Sequence, residues 1–196
     1  MEESVNDRCD VRPAPGAERY PALDLVNSVV TLPGGRSVDL LDTPTEVARW
    51  LFAHSLASAE AVLREDDAER FRVLRTHIRD LVASHVLDRP APDRALDVIN
   101  EALRGAPAAA LLHWDPARGL HRAADPPDAK VVDHALAGLA ADAADLLTGP
   151  DAERLTACGS APCNRYLLWH GRRQWCSTRC GDRARAARAY ARRIRS

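Results

Sequence analysis

The chain has 196 residues, of which 46% are hydrophobic and 28% charged, and its formal net charge is −1 at pH 7. These values are typical of a globular protein and exclude a fibrous, low-complexity or wholly disordered chain. No stretch approaches the roughly 18 apolar residues that a membrane span requires, and residues 1–19 lack the apolar region of a signal peptide. We therefore expect a cytoplasmic protein with no membrane partner.

The net charge conceals two segments of opposite sign. Residues 154–196 contain 11 arginines and one acid, Asp182, a balance of +10, whereas the residues before them contain 16 basic residues and 27 acids, a balance of −11. A basic tail on an acidic body is typical of a polyanion-binding appendage.

The first predicted elements follow a polar leader, residues 1–19, which we expect to be mobile. The apolar segment 21–32 is compatible with helix or strand by its periodicity. A turn at 33–35 and a short extended piece at 36–41 come next. We expect the main domain to run from residue 20 to residue 150.

Helices dominate the predicted centre of the chain. Thr43 as N-cap, Pro44 at the first helical position and Glu46 as capping-box partner predict a helix start. Residues 59–87 carry apolar side chains at three- and four-residue intervals, so one or two amphipathic helices fit. Another short helix is predicted at 93–104.

The pattern changes after this helical region. Residues 108–123 contain two short apolar runs around a turn, which predicts a β-hairpin. An alanine-rich segment from about 128 to 148 predicts a long helix that ends before Gly149 and Pro150. The predicted fold class is therefore mainly α with a small antiparallel β-hairpin or sheet (α+β).

Four of the five cysteines form the pattern C-x4-C-x12-C-x3-C, at Cys158, Cys163, Cys176 and Cys180. Each close pair can lie in its own turn, and the two pairs together can supply four ligands to a single tetrahedral Zn²⁺. Disulfides are rare in the cytosol, and four thiolates leave no open position for catalysis at the metal. We predict a structural Zn²⁺ in a treble-clef-like module over residues 151–196, with a hairpin between the second and third cysteines that turns at His170-Gly171.

The segment after Cys180 is rich in alanine and arginine and predicts a helix. Its arginines recur at intervals of three, four and three and form one stripe. Beside it runs a stripe of small and apolar residues, which we expect to pack against the rest of the protein: Ala184, Ala187, Ala191 and Ile194. Such a helix could lie along phosphates or enter a major groove. The predicted nucleic-acid-binding residues are Arg172, Arg173, Arg183, Arg185, Arg188, Arg192, Arg193 and Arg195.

These residues carry a resemblance to a known family. The C-terminal segment resembles the CGNR zinc finger, a bacterial module, in Cys158, Cys163, Arg173, Trp175, Cys176, Cys180-Gly181-Asp182-Arg183, Tyr190 and Arg192-Arg193. The preceding chain is similar to the ABATE domain in LDLVNS (23–28) and DLLDTPTEVARWL (39–51). Asp182 departs from the asparagine of the family name, and Asn164-Arg165 replace the small and apolar residues usual after the second cysteine.

The resemblance implies a stress-induced transcription regulator with a sensing or oligomerising N-terminal domain. We expect double-stranded DNA as a partner, and a small-molecule effector and homo-oligomerisation stay open. Asn27, Trp50 and Trp114 are candidates for a ligand pocket. No nucleophile elbow, phosphate loop or dinucleotide fingerprint indicates an enzyme. Two alternatives stay open: an enzyme or small-molecule-binding protein with its site in the N-terminal domain, and a protein-interaction adaptor.

Overall fold

The computed structural model describes residues 12–32, 35–106, 111–123, 130–171 and 174–194. It confirms the predicted class, since helices predominate and the strands form small antiparallel pairs. The helices are α1 Pro21–Val26, α2 Pro44–Ala53, α3 Glu65–Val86, α4 Asp93–Gly105, α5 Val131–Thr148 and α6 Thr178–Ile194. The strands are β1 Val29–Thr31, β2 Ser37–Asp39, β3 Leu111–Asp115, β4 Gly119–Ala123, β5 Leu155–Ala157 and β6 Tyr166–Leu168.

The ambiguous apolar segment at 21–32 contains both kinds of structure. It begins as the short helix α1 and continues as β1, which pairs with β2. The predicted start of α2 is confirmed, because Thr43 accepts from the backbone of Glu46 and the Glu46 carboxylate accepts from the Thr43 N–H. Of the one or two helices predicted at 59–87, the structure has a single long helix, α3, which begins at Glu65.

The main core lies where α1, α3, α4 and α5 meet. α1 packs against both α3 and α5, and its residues Leu23, Leu25 and Val26 are fully buried. They meet Phe71 and Ile78 of α3 in the same apolar cluster. Burial of such side chains contributes about 1.5–3 kcal/mol each. α1, although it is the shortest of the helices, therefore lies in the middle of the main core.

A buried ion pair fastens α3 to the β1–β2 hairpin. Both terminal nitrogens of the Arg75 guanidinium donate to the Asp39 carboxylate, at 2.7 and 2.6 Å, and one of them also donates to Ser28 Oγ at 2.8 Å. Arg75 is only 7% exposed. A buried guanidinium is tolerated here because a bidentate carboxylate partner offsets the cost of its desolvation.

The predicted hairpin at 108–123 is present as β3 and β4, joined by a turn at residues 116–118. Its apolar residues are not covered, since Leu112, Trp114 and Leu120 are 70%, 67% and 71% exposed.

The expectation for the residues before the main domain differs from the structure. Residues 12–19 of the predicted mobile leader belong to the fold, since a turn there buries Ala14 and Ala17. Gly16 adopts a left-handed φ of +97°, and a Cβ at this position would lie 2.5 Å from Leu168 Cγ. Only glycine fits so close to β6 in this conformation.

The hairpin of the cysteine module also differs from the prediction. β6 pairs with β5, which precedes the first cysteine, and the first cysteine pair lies in the connection between these two strands. The described residues 174–177, where the second strand was expected, have no strand structure. The pairing joins Leu155 and Leu168, which are both in the main core. Burial of these side chains favours the observed register.

Candidate metal centre and basic helix

The first cysteine pair is held by backbone hydrogen bonds in the β5–β6 connection. The Cys158 N–H donates to the Arg165 carbonyl at 2.8 Å, and the Cys163 N–H donates to the Ser160 carbonyl at 2.8 Å. The Sγ atoms of these two residues lie within 4.8 Å of each other.

The second pair lies where α6 begins. The Cys176 N–H donates to Cys158 Sγ at 3.4 Å, so the backbone of one pair contacts a sulfur of the other. The Cys180 N–H donates to Ser177 Oγ at 3.2 Å. Cys180 belongs to the first turn of α6, so an ion bound to all four sulfurs fixes the start of this helix.

The sulfur positions fit tetrahedral zinc. All four Sγ atoms lie within 4.8 Å of one another, and the Cys163–Cys176 and Cys176–Cys180 Sγ distances are both 3.6 Å. A Zn–S bond of ~2.3 Å in a tetrahedron puts the sulfurs about 3.8 Å apart. Cys158, Cys176 and Cys180 are buried. These four residues form a structural zinc site.

The sulfurs cannot all ionise without a cation. Hydrogen bonds from the neighbouring thiols of Cys163 and Cys176 lower the pKa of Cys158. The same contact with Cys158 raises the pKa of Cys163, and contacts with both neighbours raise the pKa of Cys176. A divalent ion would displace these protons, so metal binding and deprotonation are coupled.

A small apolar cluster surrounds the metal site. Ala14 and Leu167 are fully buried against the cysteines, and the Trp175 ring packs on the same cluster. Arg183 adds a positive charge, because its guanidinium donates to Cys180 Sγ at 3.3 Å and to Ser160 O at 3.1 Å. This guanidinium supports the loop that carries Cys158 and Cys163, and the DNA contact expected of Arg183 stays a prediction.

Beyond its first turns α6 is exposed. Ala184 is buried, but Tyr190 and Ile194 are 68% and 67% exposed, and Ala187 is exposed as well. The expectation that a stripe through Ala184, Ala187, Ala191 and Ile194 packs on the protein is therefore wrong for Ala187 and Ile194, whereas Ala191 is half-buried. The cysteine site fixes only the start of the helix.

Two of the predicted DNA-contacting arginines are oriented by Trp175. The guanidinium carbons of Arg185 and Arg188 lie 5.8 and 5.4 Å from the centre of its ring. Arg185 also pairs with Asp182 at 2.5 Å. Arg192 and Arg193 lie on the exposed last turns of α6. Arg172, Arg173 and Arg195 lie outside the described residues.

Two asparagines join the zinc module to the main domain, and we call them the asparagine clasp. Asn27 Nδ2 donates to the Tyr166 carbonyl at 2.9 Å, and its Oδ1 accepts from the Tyr166 N–H at 2.8 Å. Reciprocally, Asn164 Nδ2 donates to the Val29 carbonyl at 3.0 Å, and its Oδ1 accepts from the Thr31 N–H at 3.1 Å. Each side chain thus pairs with the backbone of the other module as a neighbouring strand would.

Arg79 of α3 fastens the same junction. Its guanidinium donates to the Val26 carbonyl at 3.1 Å and to the Asn164 carbonyl at 2.5 Å, and it lies 5.0 Å from the centre of the Tyr166 ring. The module and the main domain are therefore joined by side chains from both sides.

Comparison with protein families agrees with this division of the structure. The ABATE family model, described as "Putative stress-induced transcription regulator", matches residues 20–150, and the CGNR zinc finger model matches residues 154–193. The chain belongs to the ABATE family. Its C-terminal module is a CGNR zinc finger. No curated protein gives a significant match to the chain.

Within the ABATE domain, the three predicted pocket residues lie at separate places. Asn27 is 2% exposed and belongs to the asparagine clasp. Trp50 packs on the main core and donates from Nε1 to the Asp24 carboxylate at 2.8 Å. Trp114 is 67% exposed on β3. The structure does not bring these three residues together as a pocket.

An apolar groove of the ABATE domain lies elsewhere, between α3, α4 and α5. It is a cavity of about 340 Å³ that includes Leu81, Leu96, Ile99, Leu103 and Leu147 in its lining.

Across the described ranges, no helix has the length and apolarity needed to cross a membrane.

Sequence reasoning missed the residues at the junction. Asn164 and Arg165 stood out only as departures from the CGNR pattern, and nothing in the sequence pairs Asn164 with the backbone of β1. In the sequence, Arg79 looks like any other charged residue on the polar face of an amphipathic helix. A polar residue inside the apolar run LDLVNSVV was a visible signal for Asn27, but its partner is the zinc finger and not a ligand.

Proposed function

We propose that this protein is a DNA-binding transcription regulator in which the structural zinc fixes the start of α6 and the exposed turns of α6 contact duplex DNA. The observation that supports this most directly is the exposure of most of α6 after Ala184, with Arg185 and Arg188 oriented over Trp175. A helix that only completed the fold would bury one face along its length.

The dimensions and charge of α6 suit a duplex. Its 17 residues span about 25 Å at 1.5 Å per residue, and a B-DNA major groove is about 12 Å wide. Arg188 and Arg192 lie four residues apart and share one face of the helix. Asp182, the single acid of α6, pairs with Arg185 near the helix start, so the later turns carry positive charge alone.

The full-length, zinc-loaded protein tests this proposal. We expect the double substitution Arg188→Ala with Arg192→Ala to weaken binding to a 30-base-pair duplex and to reduce the slope of log K against log[salt] by about 1.8, because two phosphate contacts are lost. Fluorescence anisotropy over a salt series measures both effects, and a colorimetric zinc assay checks that the metal is retained.

The matched control is Arg94→Ala with Arg104→Ala on exposed positions of α4. It makes the same change in net charge on a helical surface of the ABATE domain and should leave the salt slope unchanged. Equal losses in both double variants would show that only overall charge matters. An unchanged affinity after the α6 substitutions would refute the role assigned to this helix.

A further inference from the structure

The apolar groove between α3, α4 and α5 is large enough to hold a small molecule. Its volume is about 340 Å³, which is within the range of ligand sites in proteins. Leu81 and Ile99 in its lining are 8% and 5% exposed, whereas Leu96 is 41% exposed and lies on the open side. An apolar ligand would release water from this surface, so the groove favours such a ligand.

The side chains from α4 give the groove a direction. Leu96, Ile99 and Leu103 recur at intervals of three and four residues, so they share one face of α4. From the first to the third of them the helix rises about 10 Å at 1.5 Å per residue. The groove therefore fits an apolar group of about this length.

A cation lies where the groove meets the end of α3. Arg89 belongs to the lining and is exposed. Its guanidinium forms no ion pair with any described residue, the adjacent Asp88 included. No Asp or Glu occurs among the described residues that line the groove. Charge complementarity at this end therefore favours an anionic group, which can reach the guanidinium from solvent.

The backbone of Arg89 is fixed although its side chain is exposed. α3 ends in a Schellman motif, in which the Arg89 N–H donates to the Ser84 carbonyl at 2.8 Å and the Asp88 N–H donates to the His85 carbonyl at 3.1 Å. Asp88 takes the left-handed position of this motif, at a φ of +50°. Pro90 restricts Arg89 to extended backbone. The guanidinium is thus attached to a preorganised segment, which reduces the entropy lost on binding.

We propose that this groove binds a small monocarboxylic acid, whose apolar part lies along Leu96, Ile99 and Leu103 and whose carboxylate pairs with Arg89. Arg89 is the only Lys or Arg among the described lining residues, so a single negative charge matches the site. The site goes beyond the proposed function, because the ABATE domain alone forms it and its test does not measure DNA binding.

Calorimetric titration of the full-length, zinc-loaded protein with sodium octanoate tests the proposal. We expect saturable binding of one molecule per chain, and the affinity should rise about fourfold for each methylene added between hexanoate and octanoate, because each one is buried in the groove. Arg89→Gln should weaken octanoate binding about fivefold, which is the upper range for an exposed ion pair. The same variant should bind 1-octanol as the wild type does, because the neutral alcohol makes no ion pair.

A second variant tests the apolar part of the site. Leu96→Gln should weaken the binding of octanoate and of 1-octanol alike, by about fivefold or more, because it places an amide against the apolar chain. Val73→Gln is the matched control and should bind both ligands normally, since Val73 is also 41% exposed but lies outside this groove on α3. The three substituted side chains are exposed, and circular dichroism checks that each variant keeps the helix content of the wild type.

Several results would overturn the proposal. These are the absence of saturable octanoate binding, and octanoate binding that is unchanged in either Arg89→Gln or Leu96→Gln. Equal losses of octanoate and 1-octanol binding in Arg89→Gln would do so as well, because they would assign the groove to a neutral ligand. In sedimentation velocity, a dimer that Leu96→Gln converts to a monomer would assign the groove to a second copy of the chain. None of these results depends on whether α6 binds DNA.

Discussion

Replacing Asn27 by alanine should uncouple the zinc finger from the ABATE domain. The substitution removes two hydrogen bonds, of 2.9 and 2.8 Å, and leaves the N–H and C=O groups of Tyr166 without their partners. Each net hydrogen bond contributes about 1 kcal/mol, and a buried polar group left unpaired costs about 1–3 kcal/mol. Because Asn27 is 2% exposed, water cannot easily replace it. We expect a loss of about 2–4 kcal/mol in unfolding free energy.

Two probes of urea unfolding measure this effect. Far-UV circular dichroism follows the helices of the ABATE domain, and a chromogenic chelator follows zinc release from the finger. In the wild type the two transitions should coincide, because the clasp and the shared core make one cooperative unit. In Asn27→Ala, zinc release should occur at lower urea than the loss of helix.

Two further variants sharpen the interpretation. Asn27→Asp keeps the shape and one acceptor but puts a carboxylate oxygen against the Tyr166 carbonyl, so at neutral pH it should be at least as destabilising as Asn27→Ala. Asn100→Ala, at an exposed position of α4, is the matched control and should change the unfolding free energy by less than about 0.5 kcal/mol. A change of that small size in Asn27→Ala, with coincident transitions, would refute the reasoning.

Two other predictions concern a carboxyl group and the metal. Burial raises the pKa of Asp142 from 3.8 to about 6 in the folded state, so unfolding free energy should fall as pH rises from about 4 through 6. The variant Asp142→Asn can still accept a hydrogen bond from the Ala22 N–H. It should remove this loss and raise the unfolding free energy by about 1 kcal/mol at pH 7.5, after allowance for solvent screening. An equal gain in unfolding free energy at pH 4, measured by urea titration, would contradict this prediction. Cys158→Ser should abolish stoichiometric zinc binding while Cys9→Ser retains it, as measured by elemental analysis; full zinc content in Cys158→Ser would show that the four-sulfur site is incorrect.

Local signals predicted most elements well. The start of α2 follows from Thr43 and Glu46 because a capping box is a local interaction, and the metal ligands follow from cysteine spacing for the same reason. The sequence also distinguished the β3–β4 hairpin, whose turn chemistry lies within a few residues. Contacts between residues distant in sequence could not be anticipated in this way.

The pairing of β5 with β6 shows why. The polar and apolar alternation after Cys163 favoured a hairpin towards Trp175, but Leu155 and Leu168 both bury their side chains in the main core. Burial of two leucines decides the register, and this burial depends on helices more than 60 residues away in sequence. The asparagine clasp has the same character, since Asn27 and Asn164 contact backbone groups more than 130 residues distant.

These contacts constrain how the ABATE domain could influence α6. Leu155 and Leu168 belong to the core of the ABATE domain, and His85 of α3 contacts the Ala152 carbonyl in the short connection between the two parts. The finger therefore cannot swing as a tethered module without breaking buried contacts. Under the proposed function, a change in the ABATE domain would instead reach α6 through the asparagine clasp, by altering the stability or direction of the first turn of α6. Regulation would then appear as a change in the affinity of a fixed helix, with little change in the overall dimensions of the protein.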